Sequence, residues 1–301
     1  HAAGRAGAND HVVHACVSSL RGVGIVVARA AANIRGFPSH FLEHRMNITT
    51  VGIVGAGTMG NGIAQACAVS GINAVMVDIA QGAVDKGLAI KGSTNYDDLK
   101  GAQLVIEAAT ENHALKNKIL AQLDGLLAPE VLIATNTSSI SITQLAAVTQ
   151  RPDRFVGMHF FNPVPMMALV EIIRGLQTSD ATHDAVKELA VRLGKSPITV
   201  KNAPGFVVNR ILVPMINEAL FVLAEGLATP EDIDAGMRLG CNHPIGPLAL
   251  ADMVGLDVCL AVMEVYLEQF GDSKYRPCPL LREYVAAGHL GRKSGRGIYH
   301  Y

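Results

Sequence analysis

Between Val51 and Gly60 the chain reads Val-Gly-Ile-Val-Gly-Ala-Gly-Thr-Met-Gly, and no other stretch limits its fold so tightly. A short apolar run that ends in G-x-G-x-x-G and passes at once into an amphipathic run, Asn61 to Ser70, is a buried parallel strand followed by a helix. In such a turn Gly55 makes the tight bend. Gly57 lets a pyrophosphate approach the backbone, and Gly60 lets helix and strand pack closely. Thr58 and Met59 complete the candidate cradle, and the free N–H groups at the helix start face the phosphates.

The motif alone is weak in a chain with 30 glycines, but its context is right. Gly71 is placed to end the helix, Ile72 to Val77 forms a second apolar strand, and Asp78 follows 23 residues after Gly55. A carboxylate there accepts hydrogen bonds from both hydroxyls of an adenosine ribose and repels a 2′-phosphate, which favours NAD over NADP. The alternative is a βαβ unit without a dinucleotide, in which Asp78 merely caps the strand.

At roughly 150 residues per domain, 301 residues suggest two domains, and a hydrophobic half of the chain supports a sizeable core. A net charge of −1 argues against a nucleic-acid partner, and no apolar stretch is long and uninterrupted enough to span a membrane. Five scattered cysteines without a C-x-x-C pair point to reduced packing thiols, to no metal site and to a cytoplasmic setting. Residues 1–45 differ from the rest: five arginines stand against only Asp10 and Glu43, and Met46 directly precedes the first strand. Met46 is read as the start, with a non-native or disordered leader before it. A transit peptide, and with it a mitochondrial matrix location, is the alternative.

From Met46 strands and helices alternate, the mark of an α/β sheet. A helix is expected over Gly82 to Ile90, a polar connection over Lys91 to Lys100, and a strand over Leu104 to Ala109. The pattern continues with a helix over Ala114 to Leu127 and a strand over Val131 to Ala134 that opens into Thr135-Asn136-Thr137-Ser138-Ser139. Next come a helix over Ile142 to Val148, strands over Phe155 to Phe160, Leu169 to Ile173 and Ser196 to Val200, and a helix capped by Asp180. After Asn202-Ala203-Pro204-Gly205 only helices are expected: Phe206 to Glu225, a second starting at Thr229-Pro230, Leu248 to Phe270, and Pro279 to Ala287. The domains are therefore 46–201 and 202–301. The aliphatic load of the second suits a helical dimer interface.

In an open α/β sheet, ligands bind outside the carboxyl ends of the strands, where Asp78, Glu111, Ser138 and His159 lie. Oxidation of an alcohol needs a base for the hydroxyl proton, and histidine, with an unperturbed pKa of about 6.5, suits the task. A carboxylate on its far nitrogen fixes the tautomer, and Glu171 on the next strand is within reach. The bland alternatives are a structural His159, a solvent-facing Glu171, and Ser138 as a helix cap.

Asn136-Thr137-Ser138-Ser139, His159-Phe160-Phe161-Asn162-Pro163, Pro204-Gly205-Phe206-Val207-Val208-Asn209-Arg210 and Gly291-Arg292-Lys293-Ser294-Gly295-Arg296-Gly297 resemble the signatures of the 3-hydroxyacyl-CoA dehydrogenase family. Within it, the single-function bacterial 3-hydroxybutyryl-CoA dehydrogenases are most similar. The likeness runs from about Met46 to Tyr301. It implies a Rossmann-type NAD-binding domain followed by an all-helical C-terminal domain that dimerises. It also implies His159 as general base polarised by Glu171, with Ser138, Asn162 and Asn209 holding an acyl-CoA substrate. NAD would be bound by Gly55, Gly57, Gly60 and Asp78, helped by Glu111, Lys116 and Asn136, with Lys293 nearby. The implied reaction is reversible oxidation of an (S)-3-hydroxyacyl-CoA, acetoacetyl-CoA being the expected product or substrate. The family carries a protruding helical arm that closes over coenzyme A, yet here only 26 residues separate Val77 from Leu104, so most of that arm is missing. Dehydrogenation of a free hydroxy acid or sugar acid, or a non-catalytic crystallin-like role, are the competing functions.

Overall fold

The computed structural model describes residues 46–79 and 91–301. The expected leader over 1–45 and the expected helix from Gly82 to Ile90 lie outside the described residues. By its contacts Met46–Tyr301 forms one compact unit.

Its centre is an eight-stranded sheet: β1 (Thr50–Val54), β2 (Asn73–Val77), β3 (Lys91–Ser93), β4 (Leu104–Glu107), β5 (Leu132–Thr135), β6 (Phe155–Phe160), β7 (Leu169–Arg174) and β8 (Ser196–Lys201). The spatial order is β3-β2-β1-β4-β5-β6-β7-β8. Every neighbouring pair is parallel except β6 and β7. The central strands are buried along their whole length, as in Leu104–Glu107 and Phe155–Phe160. Continuous apolar strands of this kind belong to a sheet covered on both faces. Two hydrophobic clusters provide that cover: one joins Ile53, Ile63 and Met158 to Val186 and Leu189, the other Val105, Ile133 and Phe155 to Leu120 and Leu145. The covering helices are α1 (Thr58–Val69), α2 (His113–Leu126), α3 (Ile142–Ala146) and α4 (Asp180–Arg192).

After Lys201 the chain turns wholly helical: α5 (Val208–Ala224), α6 (Pro230–Gly240), α7 (Pro247–Val254), α8 (Leu256–Phe270) and α9 (Pro279–Ala286). These helices enclose their own cluster around Ile216, Leu248, Cys259 and Leu281. Pro214 lies inside α5, which runs through it without interruption. Asp234 and Asp252, both buried, bind the C-terminal segment: Asp252 accepts the N–H groups of Ile298 and Tyr299, and the Tyr299 hydroxyl donates to Asp234.

Four expectations are corrected. Lys91 to Lys100 is not a plain connection. It supplies edge strand β3 and a 3₁₀ turn, Tyr96–Gly101, whose Asn95 cap accepts from Asp97 N–H and whose Leu99 is anchored in the core. Helix α1 begins at Thr58 rather than Asn61, because Gly57 already has the extended backbone of a cap. Ser179, not Asp180, caps α4, its side chain accepting from Thr182 N–H. The run Leu248 to Phe270 is two helices, since Gly255 takes φ 105° and breaks it.

Candidate active site

The strand order reverses between β1 and β4, and a crevice opens there at the carboxyl ends of the strands. Gly55 closes β1 with φ 108°, and a Cβ there would lie 2.8 Å from the carbonyl oxygen of Ala108. A Cβ on Gly60 would lie 1.8 Å from the carbonyl oxygen of Gly55, so α1 sits against the turn at a distance only glycine allows. Gly57, by contrast, has nothing within 4 Å of such a Cβ. No side chain caps α1, which leaves its first N–H groups and positive dipole end for an anion. Asp78 accepts from Ala56 N–H at 2.7 Å and shares an apolar cavity of about 310 Å³ with Gly57, Tyr96, Ala109, Leu115 and Ile119. A diphosphate cradle beside an apolar slot with a carboxylate on its wall fits an adenine dinucleotide.

A second cavity, of about 440 Å³, continues from Gly57 past Glu111, Asn136 and Ser138 to His159 and Asn162. Its far wall is built by the end of β6 and the turn that follows it. In the antiparallel pairing of β6 and β7, His159 lies directly opposite Glu171. His159 Nδ1 is 2.8 Å from Glu171 Oε2, and Glu171 is fully buried. Its other oxygen accepts the N–H groups of Val207 and Val208 at 3.0 Å each, so the start of α5 is fastened to the same carboxylate. Phe161 and Phe206 flank the imidazole with ring centroids 4.5 and 5.6 Å away. With Nδ1 committed to a carboxylate, Nε2 is the nitrogen left for the cleft.

Glu111 organises the opposite wall. Its Oε1 accepts from the Thr137 hydroxyl at 2.6 Å, from Ser138 N–H at 2.9 Å and from Ser139 N–H at 3.1 Å. Burial opposes its ionisation, but the Lys116 charge and these donors outweigh burial and hold its carboxyl below the ordinary range. Asn136 Oδ1 accepts from Phe160 N–H at 2.8 Å, tying the end of β5 to the end of β6.

Two of the expected cofactor residues are not among those lining either cavity. Lys116 is fully buried and does not line the cleft. Its ammonium lies 2.9 Å from both oxygens of Glu107 and 3.6 Å from Glu111, so it acts behind the wall. Lys293 pairs with Asp257 at the start of α8 and is not among the residues lining either cavity. Asn209 occupies the first turn of α5, one residue beyond the Val208 N–H that binds Glu171. Sequence reasoning missed Glu107, which also receives Ala109 N–H at 2.7 Å and the Thr135 hydroxyl at 2.6 Å. The signal was there: a single acid at the end of an otherwise apolar strand cannot be buried without a cation. Tyr96 and Phe206 were missed too.

Residues 50–89 and 88–203 match the sequence profile of the 3-hydroxyacyl-CoA dehydrogenase NAD-binding domain, and residues 205–301 match that of its C-terminal domain. The chain is 49% identical to the 3-hydroxybutyryl-CoA dehydrogenase of Bradyrhizobium diazoefficiens over 280 positions, covering 84% of this chain and 96% of that one. It is likewise 49% identical to a probable 3-hydroxybutyryl-CoA dehydrogenase of Bacillus subtilis, covering 85% and 98%. Among solved structures, an (S)-3-hydroxybutyryl-CoA dehydrogenase from Ralstonia eutropha is 67% identical and superposes with a TM-score of 0.83, covering 85% of this chain and 99% of that one. The Bradyrhizobium alignment spans 280 positions yet takes in only 84% of 301 residues, about 253, so roughly 27 positions face a gap in this chain. The profile match breaks and restarts at residues 88–89, where the shortened arm was expected. With both domains matched and the cofactor crevice built as described, the chain belongs to the 3-hydroxyacyl-CoA dehydrogenase family and is an NAD-dependent oxidoreductase.

Proposed function

We propose that the enzyme interconverts short-chain (S)-3-hydroxyacyl-CoA and 3-oxoacyl-CoA, with 3-hydroxybutyryl-CoA and acetoacetyl-CoA as the working pair. The observation that carries this reading is the buried His159–Glu171 contact of 2.8 Å at the wall of the cleft that also holds the dinucleotide cradle. NAD, when bound, supplies the hydride acceptor. In the oxidative direction Nε2 of His159 takes the proton of the C3 hydroxyl as C3–H leaves with its electron pair. Glu171 keeps the Nδ1 proton in place and stabilises the imidazolium that forms. Ser138, set by Glu111, holds the C3 oxygen. Asn162 lines the same wall, and Asn209 reaches the thioester region from α5. Gly55, Gly57, Thr58, Met59, Gly60 and Asp78 hold the dinucleotide together with Asn136 and Glu111, while Lys116 braces Glu111 from behind.

A homodimer forms through the helical half. Ile211, Leu227, Leu239 and Val258, which are 66%, 67%, 82% and 44% exposed, supply apolar surface for it. Among the described residues no helix is long and apolar enough to cross a membrane, and the enzyme works in the cytoplasm.

NADH oxidation with acetoacetyl-CoA, run beside acetoacetate, tests the substrate. Turnover of the thioester is expected, and activity on the free acid alone would overturn the reading. His159→Gln is expected to abolish turnover while NADH still binds. Undiminished turnover would remove His159 from the mechanism.

A further inference from the structure

Lys195 is a buried cation that the chemistry above does not use. It follows α4, and its side chain runs beneath the turn that joins β6 to β7. There its Nζ donates to the carbonyl oxygens of Val164, at 2.5 Å, and Met167, at 2.9 Å. These acceptors lie on opposite limbs of the turn. Burial lowers the affinity of Lys195 for its proton, so the site tolerates the cation only because the two carbonyls replace its water.

The turn is placed where small errors matter. On one side it leaves β6 through His159, Phe161 and Asn162, all of which line the cleft. On the other it enters β7, which carries Glu171 opposite His159. Its middle is pinned to the cofactor helix, because Val164 is buried against Gly62 of α1, where a Cβ would lie 2.7 Å from Val164 Cβ. The backbone holds the turn further: Pro163 O accepts from Met166 and Met167 N–H, and Ser196 N–H donates to Ala168 O. Even so, the outer residues Met166 and Met167 remain 81% and 40% exposed, so apolar packing alone does not fix them. The ammonium adds a side-chain tie between the two limbs, beside the backbone bonds of Pro163.

We propose that Lys195 is a positioning residue for substrate: by clamping the 161–168 turn it sets Phe161 and Asn162 in the cleft wall beside His159, and the set of that wall fixes acyl-chain preference. This rests on the function proposed above, and its test is separable from that reading because it compares variants by substrate rather than by presence of activity. The hydrogen bonds of the Lys195 ammonium go to the turn and not to the cradle, so NADH affinity is measured beside KM to tell a local effect on the turn from one passed through Val164 to α1.

The experiment measures kcat and KM for acetoacetyl-CoA and for a 3-oxo-octanoyl thioester, with NADH affinity by fluorescence, in Lys195→Met and Lys195→Arg. For Lys195→Met a rise in KM for acetoacetyl-CoA is expected, with kcat/KM lower by roughly tenfold to a hundredfold. The ratio of short- to long-chain kcat/KM should shift by at least about fivefold, and NADH affinity should stay within about twofold. Lys195→Arg keeps a buried cation with several donors and is expected to recover most of the loss. If Lys195→Met leaves KM and the chain-length ratio unchanged, the proposal is overturned. The same holds if it lowers NADH affinity and thermal stability in step with turnover, or if it fails to fold while Lys195→Arg folds with an altered cofactor affinity and an unaltered ratio. Wild-type inactivity on both thioesters would instead remove the proposed function.

Discussion

Replacing Glu171 with Gln changes almost no volume and isolates one question, which atom of His159 carries the proton. Both carboxylate oxygens are committed, Oε2 to His159 Nδ1 at 2.8 Å and Oε1 to the N–H groups of Val207 and Val208 at 3.0 Å each. A carboxamide offers one acceptor and one donor end. With its NH₂ toward α5, it would set donors against two buried N–H groups. With its NH₂ toward His159, both backbone bonds survive and only the imidazole contact changes. The second orientation therefore wins, Nδ1 becomes the acceptor, and the proton moves to Nε2, which then cannot take another from a hydroxyl. The corresponding acid-to-amide change in a serine-protease triad lowers kcat about 10⁴-fold, close to 5 kcal/mol at 1.36 kcal/mol per decade. Weakening charge-assisted bonds to neutral ones costs about 1–2 kcal/mol of stability, or about 2–8 °C in Tm. The assay is NADH oxidation with saturating acetoacetyl-CoA, with NADH affinity and Tm measured on the same preparation. A fall in kcat of at least about a thousandfold is expected, with cofactor affinity unchanged. A kcat within about tenfold of the unsubstituted enzyme would refute the argument, since Glu171 would then not select the tautomer.

Other outcomes follow from the same geometry. Gly60→Ala puts a methyl carbon 1.8 Å from the Gly55 carbonyl oxygen, a backbone atom that cannot swing aside; urea unfolding should show a loss of about 3 kcal/mol or more. Asp78→Ala leaves Ala56 N–H without its acceptor and removes the charge facing a ribose, so the NADH dissociation constant should rise about tenfold and the preference over NADPH should shrink. Glu111 is held below the ordinary carboxylate range by Lys116 and the Thr137–Ser139 donors against the opposing effect of burial. Its stabilising effect is therefore complete above the ordinary carboxylate value and is lost as pH falls through the depressed one. Glu111→Gln should be less stable than the parent at pH 7, and the gap should close in acid, as read by Tm against pH. Burial pushes the thiols of Cys67 and Cys259 up to about 12, whereas Cys241 is exposed; thiol labelling of the native enzyme at pH 8 should, among the described residues, mark Cys241 first.

What could be read from the chain divides along local and non-local lines. Strand positions in the sheet were legible to within two residues at each end where apolar runs were bounded by turn residues, and Phe155–Phe160 was read without error. Edge strand β3 was not, because Lys91-Gly92-Ser93 has no apolar content and is a strand only through its ladder to Val75, Met76 and Val77. The break in the long C-terminal helix was equally hidden: nothing in the aliphatic periodicity around Gly255 distinguishes a tolerated glycine from one at φ 105°. The partner of Lys116 was hidden for a different reason: the buried acid that holds it, Glu107, lies nine residues earlier on another element.

The contact between His159 and Glu171 has a sequence signal of its own in the length of the connector between their strands. Glu171 was assigned to His159 because it lay on the next strand, but the two strands' relative direction decides whether the side chains meet. Only eight residues, 161 to 168, separate the end of β6 from the start of β7. A parallel crossover needs about a dozen residues or more, so this connection forces β7 to return antiparallel in a sheet that is otherwise parallel up to that point. Once antiparallel, residues facing each other across the ladder have paired Cβ atoms on the same face, and the register sets His159 opposite Glu171. The same reversal ends the run of parallel strands whose carboxyl ends build the cofactor crevice, so His159, the proposed base, stands on the last strand of that run. The connector length thus bears on three things together: the reversal, the pairing and the place of His159. The turn that carries them is also the one whose limbs Lys195 holds together.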